Sequence, residues 1–247
     1  MKQLNKNIIL SNIPKNRVNL DIYDEIESTN ELSKDIAFKN EFNLILAEKQ
    51  TSGKGRHGKK WHSPKNGNIY MSLSTKKDLN YAPLSLLTGI ICANVLSEYT
   101  KKDVIGLKWP NDIVLENKKI GGILIEKAVV NNETTSVIGI GLNFHIESKE
   151  KWWGDLSSFD IGDLRNEIIS NIATHIINAY DKTYENWIDE WRKYCIHLDK
   201  EVKIIQGGNS SQDAIFKDID NNGCALLQTD MGLKKFNSGE VSIKGVY

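Results

Sequence analysis

Cysteine is scarce and scattered in this 247-residue chain: there are three, Cys92, Cys195 and Cys224, an odd number far apart. That spacing suggests neither a disulfide framework nor a cysteine-based metal site. Excess charge is missing too. Lys plus Arg and Asp plus Glu both number 32, giving a formal net charge of zero. General nucleic-acid binding, which draws on a basic surface, loses its electrostatic basis. No run approaches the roughly 18 apolar residues of a membrane span. The polar N-terminus, where Ile8-Ile9-Leu10 is the continuous apolar run, shows no signal peptide. Residues 1–20 are too short for a winged helix or another DNA-reading module. Internal repeats and low-complexity linkers are lacking. The expectation is a cytoplasmic protein without membrane or DNA partners, long enough for one large domain or a large and a small one.

Against this neutral background, residues 50–61 concentrate charge. Gln50-Thr51-Ser52-Gly53-Lys54-Gly55-Arg56-His57-Gly58-Lys59-Lys60-Trp61 interleaves three glycines with four fixed cations and a histidine. Glycine lets backbone approach a ligand closely, and exposed N–H groups beside Lys and Arg form a concavity for phosphate or carboxylate. The alternative is a solvated basic loop. Gly53 to Lys59 also fits seven positions of a P-loop. The eighth is Lys60 instead of Ser or Thr, however, and Pro64 and Gly67 follow where a helix is required. Gly55-Arg56-His57-Gly58 matches the short GXXG loop of KH domains, on four residues only.

Around the loop the pattern is α+β. Strands are expected at 21–26, 44–48, 68–74, 104–109, 112–116, 119–126 and 134–142. The turns at Glu116-Asn117-Lys118 and Asn131-Asn132-Glu133 imply a largely antiparallel sheet. Ser28-Thr29-Asn30-Glu31 is an S-x-x-E capping box that starts a helix reaching about Phe38. Leu84, Leu87, Ile91 and Val95 predict a buried helix over 83–99, and Ile168 to Trp191 predict one broken helix or two over 163–195. Beyond about residue 198 the texture changes to short β segments, 201–206, 213–218, 224–229 and 240–244. Gly207-Gly208 and Asn221-Asn222-Gly223 punctuate them, suggesting a small barrel.

A second dense stretch is Lys108-Trp109-Pro110-Asn111-Asp112, with a lysine at a strand end, a proline turn and an amide–carboxylate pair. Such a lysine stabilises charge on a reacting phosphoryl group, unless the stretch is an ordinary surface turn. Gly121-Gly122 and Gly139-Ile140-Gly141-Leu142-Asn143 interrupt apolar strands, as glycines do at bulges or where a ligand comes close.

These blocks together resemble the catalytic domain of biotin protein ligases. Five occur in order over residues 28–143: Ser-Thr-Asn, the Gly/Lys/Arg loop ending in Trp, Lys-Trp-Pro-Asn-Asp, Lys-Ile-Gly-Gly-Ile-Leu-Ile-Glu and Gly-Ile-Gly-Leu-Asn. The β-rich tail is similar to the family's SH3-like C-terminal domain. The resemblance implies a class II synthetase-like α+β catalytic domain over 1–198 and an SH3-like barrel over 199–247, of the ligase-only type. It also implies a two-step reaction in which ATP and biotin give biotinyl-5′-AMP with Mg²⁺ sharing the charge. The acyl group then passes to a lysine of the biotin carboxyl carrier protein or domain of acetyl-CoA carboxylase or a related carboxylase.

The same resemblance assigns residues. Ser28, Thr29, Asn30, Gln50, Gly53, Lys54, Gly55 and Gly122 are expected around biotin. Arg56 and Lys108 are expected to act catalytically at its carboxylate. Lys59, Trp61, Asn111 and Asn143 join Arg56 on the nucleotide side, with Trp153 a further ring near the nucleotide, and no metal ligand is assigned. Lys54 and Lys59 stand where arginines are usual, keeping charge but losing the planar fork. Three other readings stay open: a lipoate ligase on the same fold, a non-catalytic biotin or nucleotide sensor, and nucleic-acid binding through the loop. An exposed sheet edge also allows a homodimer.

Overall fold

The structure is a computed structural model that describes residues 2–244 apart from 15, 66, 101–102, 131, 148–149, 207–209 and 240. Two of the expected punctuation points, Asn131 and Gly207-Gly208, lie outside the described residues.

Short alternating segments give seven strands: β1 (Val18–Tyr23), β2 (Phe42–Ala47), β3 (Ile69–Thr75), β4 (Ile105–Lys108), β5 (Asp112–Leu115), β6 (Lys118–Val130) and β7 (Glu133–Leu142). They form one sheet in the order β1-β2-β3-β7-β6-β5-β4. β1 and β2 run parallel and every other pair is antiparallel. The largely antiparallel sheet is therefore as expected, with one parallel edge where a helical crossover, rather than a hairpin, joins β1 to β2.

Strand alternation sorts the sheet into two faces. Leu44 and Leu46, Met71 and Leu73, Ile138 and Ile140, Ile123, Ile113 and Leu107 enter the apolar core. That face is covered by α3 (Leu84–Tyr99), α4 (Arg165–Ala179) and α5 (Trp187–Tyr194). Gly89 of α3 lets the helix approach the side chains of Leu107 and Ile123. The 163–195 stripe thus resolves into two helices, and a short α1 (Lys6–Ile9) that sequence periodicity did not signal packs on α4. On the opposite face lies α2 (Thr29–Asp35), capped by Ser28 and ending three residues earlier than expected, where Ile36 turns extended.

A buried ion pair ties these layers together. Arg165 of α4 donates from Nη1 and Nη2 to both carboxylate oxygens of Glu48, at 2.9 and 2.8 Å. The same guanidinium reaches the carbonyls of Asn68 and Lys2. One side chain thereby joins the end of β2, the start of β3, α4 and the N-terminal segment.

After α5 the chain forms β8 (Glu201–Gln206), β9 (Ser210–Ile219), β10 (Ala225–Thr229), β11 (Gly232–Phe236) and β12 (Val241–Lys244). Their order is β11-β10-β9-β8-β12. The expected barrel is not closed: among the described residues β11 and β12 form the two edges and do not pair. β12 pairs instead with β8. β11 itself was not anticipated, its alternation being short and rich in lysine.

Candidate active site

The strand register places the site on the sheet face under α2. Ser72 of β3, Gly139 of β7 and Leu124 of β6 form one row. Tyr70, Gly141, Gly122 and Asp112 form the next, which reaches Lys108 on β4. The rows are two residues apart, about 7 Å along the strands. A cavity of about 640 Å³ opens over them, bounded by the 50–61 loop and the C-terminal sheet.

One end of this cavity is a connected polar patch. Gln50 Oε1 accepts from the Thr29 backbone N–H at 2.9 Å and from the Thr29 hydroxyl at 3.1 Å. Gln50 Nε2 donates to Ser63 Oγ at 2.9 Å. The Ser72 hydroxyl lies 2.8 Å from Thr29 Oγ1 and donates to Asn30 Oδ1 at 2.6 Å. Asn30 Nδ2 donates to Glu126 Oε2 at 2.8 Å.

The loop is a tight turn with no helix in it. Arg56–Gly58 form a single 3-10 turn, and the chain folds back through Gly55 N–H to Lys59 O and Trp61 N–H to Gly53 O at 2.8 Å. Gly58 sits at φ 71°, where glycine carries no steric penalty. The P-loop geometry is therefore missing here as well as in the residue pattern. Arg56 Nη1 donates to Asn111 Oδ1 at 3.2 Å, and Nη2 donates to the carbonyl of Ser238 in the C-terminal unit. Desolvation lowers the Arg56 pKa, with Asp112 opposing.

Glycines in the strands make room for protein side chains. A Cβ at Gly139 would run into the Asn30 amide, and one at Gly141 would lie within 2.6 Å of the Trp61 indole. The expected close approach is real, but Asn30 and Trp61 make it. Trp61 lies across Gly141 and Gly122, and its buried Nε1 has no hydrogen-bond partner.

Two lysines flank one carboxylate. Lys119 Nζ lies 2.5 Å from Asp112 Oδ1 and 5.4 Å from the Trp61 ring centre, whereas Lys108 Nζ is 3.7 Å from Asp112 Oδ2. Burial lowers the Lys108 pKa, with Asp112 opposing and Lys119 and Lys59 adding to the fall. The arrangement keeps two cations together in a confined space through a shared counter-ion.

Of the residues expected from sequence, Ser28, Thr29, Asn30, Gln50, Lys54, Gly55, Arg56, Lys59, Trp61, Lys108, Asn111, Gly122 and Asn143 all line the cavity, as does Trp153. Gly53 does not: it is buried behind the wall, where a Cβ would strike Trp61 O and Ser63 Oγ. It packs the loop against Trp61 and Ser63. Asn143 is held by its Nδ2 on Gly154 O at 3.2 Å. Ser72, Glu126, Asp112 and Lys119 were given no site role in advance, although Asp112 closed the Lys-Trp-Pro-Asn-Asp stretch and Glu126 ended the Lys-Ile-Gly-Gly block. Lys119 stood inside the Lys-Ile-Gly-Gly block, and Ser72 only in a strand pattern. The contribution of Ser242, Ile243 and Lys244 had no local signal.

Residues 23–143 match the Biotin/lipoate A/B protein ligase family, and residues 197–244 match the Biotin protein ligase C terminal domain. The Salmonella typhimurium bifunctional ligase/repressor BirA is 30% identical over 240 residues, which are 92% of this chain and 74% of that protein. The chain belongs to the biotin protein ligase family. A relative from Mycobacterium tuberculosis, a biotin–[acetyl-CoA-carboxylase] ligase, is 26% identical over 80% of this chain and 77% of its own. Among solved structures, the Aquifex aeolicus biotin protein ligase in complex with biotin and ATP superposes with a TM-score of 0.74 at 26% identity. That match covers 92% of this chain and 98% of the Aquifex chain. The Leishmania major ligase in complex with biotinyl-5-AMP shares the fold, at a TM-score of 0.61 and 22% identity, over 89% of this chain and 98% of that one.

Proposed function

We propose that this chain activates biotin with ATP and transfers it to a lysine of a biotin-accepting carrier domain of a biotin-dependent carboxylase. A carboxylate oxygen attacks the α-phosphorus, the bond to pyrophosphate breaks, and biotinyl-5′-AMP forms. The acceptor amine then attacks the acyl carbon and AMP leaves. The observation that carries this reading is the division of one cavity into a neutral hydrogen-bonding end and a cationic part that begins one row further along the strands and reaches across the sheet to β4. Thr29, Asn30 and Gln50 supply the first, with the buried Ser72 hydroxyl holding Thr29 and Asn30 from behind; Lys54, Arg56, Lys59, Lys108 and Lys119 surround the second.

In this reading the polar end holds the uncharged ureido ring, and the cations gather the carboxylate and phosphates. The Trp61 indole and the rings of Trp153 and His62, stacked at 6.3 Å between centres, serve the nucleotide side. Charge that develops as carboxylate meets phosphorus falls beside cations already in place, the arrangement that most lowers such barriers. Lys119, packed against Trp61 at Gly122, shares this role with Lys108, whose ammonium is the more buried.

Mg²⁺ fits this donor set only as a guest of the nucleotide. The described residues hold no cluster of three or more His, Cys, Asp or Glu side chains, and this hard ion is commonly carried by phosphates plus one or two protein oxygens. Asn143 on the cavity wall would offer an oxygen, and the ion would neutralise phosphate charge. Residues 1–198 act as the catalytic unit and 199–247 as a unit that completes the cavity wall, with Ser238 and β12 against the loop.

The experiment is biotin-dependent exchange of labelled pyrophosphate into ATP, with lipoate as the parallel acid. Exchange with biotin supports the reading. Exchange with lipoate alone overturns the substrate, and no exchange by folded protein overturns adenylate chemistry.

A further inference from the structure

Four charged side chains of alternating sign run from the polar end of the cavity to its loop. Glu126 on β6 accepts from Asn30 Nδ2 and, through its other oxygen, pairs with Lys34 Nζ at 2.8 Å. Lys34 also reaches Glu31 Oε1 at 2.6 Å, and that same oxygen takes Lys54 Nζ at 2.7 Å. The chain thus begins at a residue in the floor and ends at a cation in the loop. Its members belong to three separate elements, β6, α2 and the loop.

Resting on the biotin-activating reading above, we infer that Glu126, Lys34 and Glu31 are positioning residues that couple the orientation of the Asn30 amide to the placement of Lys54. Stabilisation is a poor explanation for the chain. Its side chains are 21% to 47% solvent-exposed, and ion pairs of that kind contribute about 0–1 kcal/mol each. Direction is what the chain adds. The Asn30 amide has two orientations of nearly equal shape, and Glu126, at 2.8 Å from Nδ2, is the stronger of two acceptors that select between them, the Leu124 carbonyl lying at 3.4 Å. The carboxylate draws the NH₂ group to itself and turns Oδ1 toward Ser72.

Ser72 has a single hydroxyl proton and two acceptors in reach, Asn30 Oδ1 and Thr29 Oγ1. Fixing Asn30 Oδ1 beside it commits that proton. The pattern of donors and acceptors offered to an uncharged ureido group is then set by a charge behind the wall. At the far end, an arriving carboxylate or phosphate competes with Glu31 for Lys54. Burial by itself would lower the Lys34 pKa, yet the hydrogen bonds it donates to Glu126 and Glu31 hold it above its ordinary value, and Lys34 and Lys54 hold Glu31 below its own.

The test uses the full chain in biotin-dependent pyrophosphate exchange, with KM for biotin and for ATP measured separately beside a thermal melt. Glu126→Gln is expected to raise the biotin KM at least tenfold, with the ATP KM within twofold and little change in melting temperature. The charge swap Lys34→Glu with Glu126→Lys separates positioning from simple pairing. It restores an ion pair but puts a donor where Asn30 needs an acceptor, so the biotin KM is expected to stay high. Glu31→Gln, which releases Lys54, is expected to change the biotin KM non-additively with Lys34→Met. Recovery of the biotin KM by the swap, or an unchanged biotin KM in Glu126→Gln, overturns the inference while wild-type exchange leaves the function standing. Absence of exchange in wild type would instead remove the function on which the inference rests.

Discussion

The amide oxygen of Asn30 occupies the space that a Cβ on Gly139 would need. The helix α2 and the strand β7 meet at that point with no room for a methyl group. Gly139 belongs to the sheet interior, so the backbone cannot retreat without breaking its register with Ser72 and Leu124.

Gly139→Ala is therefore expected to push Asn30 off Ser72 and Glu126. Overpacking of this kind costs about 1–3 kcal/mol, and the affected group is part of the polar end of the cavity. Isothermal calorimetry should show biotin binding weakened at least tenfold, with ATP binding little changed. Equal weakening of both ligands would place the damage in the fold at large.

Lys119 and Lys108 are expected to differ in what they contribute. Lys119 is the less buried of the two, lies against Trp61 and holds Asp112 closely, while Lys108 is the more desolvated and stands farther from the same carboxylate. Lys119→Ala should slow adenylate formation by about 10²–10³-fold, the scale of losing one oxyanion donor. Lys108→Ala should also slow it, but with a clearer loss of stability, since a buried charge partner of Asp112 disappears. Single-turnover formation of biotinyl-5′-AMP in both variants decides this; near-wild-type rates in Lys119→Ala would return the main role to Lys108.

Glu48 and Arg165 should dominate the sensitivity of the large unit to substitution. The pair is almost wholly buried and has two hydrogen bonds between its members. Arg165→Met leaves the Glu48 carboxylate buried with only the Leu4 N–H of its present partners, and breaking such a pair costs about 3–5 kcal/mol. Urea denaturation should show that loss, partly recovered by Glu48→Gln in the same chain.

Much of this architecture was legible because strand alternation and turn residues are local signals. β3, β6 and β7 follow their apolar periodicity, and Ser28 caps α2 where the Ser-x-x-Glu spacing indicated. The cationic loop was legible from Gly and Lys alone. What stayed hidden depends on register between distant strands. Nothing near Ser72 says that it faces Asn30, and nothing near Ser238 says that its carbonyl meets Arg56, 182 residues away in sequence. Glycine was the misleading signal. Gly139 and Gly141 did mark close approach, but one-dimensional spacing does not tell a ligand from an indole.

His197 adds a titration that its surroundings make one-sided. The ring is fully buried against Trp191 and Phe216, Nδ1 is 3.6 Å from Cys195 Sγ, and Nε2 has no partner. Burial, with Lys108 and Lys200 adding repulsion, lowers its pKa from 6.5 to about 3. The folded chain thus keeps His197 neutral at a pH where the unfolded chain protonates it. Between about pH 6.5 and 3 the unfolded state binds the extra proton, so stability falls as pH falls, by about 1.4 kcal/mol per unit. From pH 7 to pH 5 the contribution lost is about 2 kcal/mol. His197→Gln cannot titrate, and its stability should decline less than that of wild type by that amount over the same interval. Parallel declines in urea denaturation would show that the imidazole takes up its proton inside the fold, adding a further positive charge near Lys108, beside Lys119 and Lys59, in mildly acidic solution.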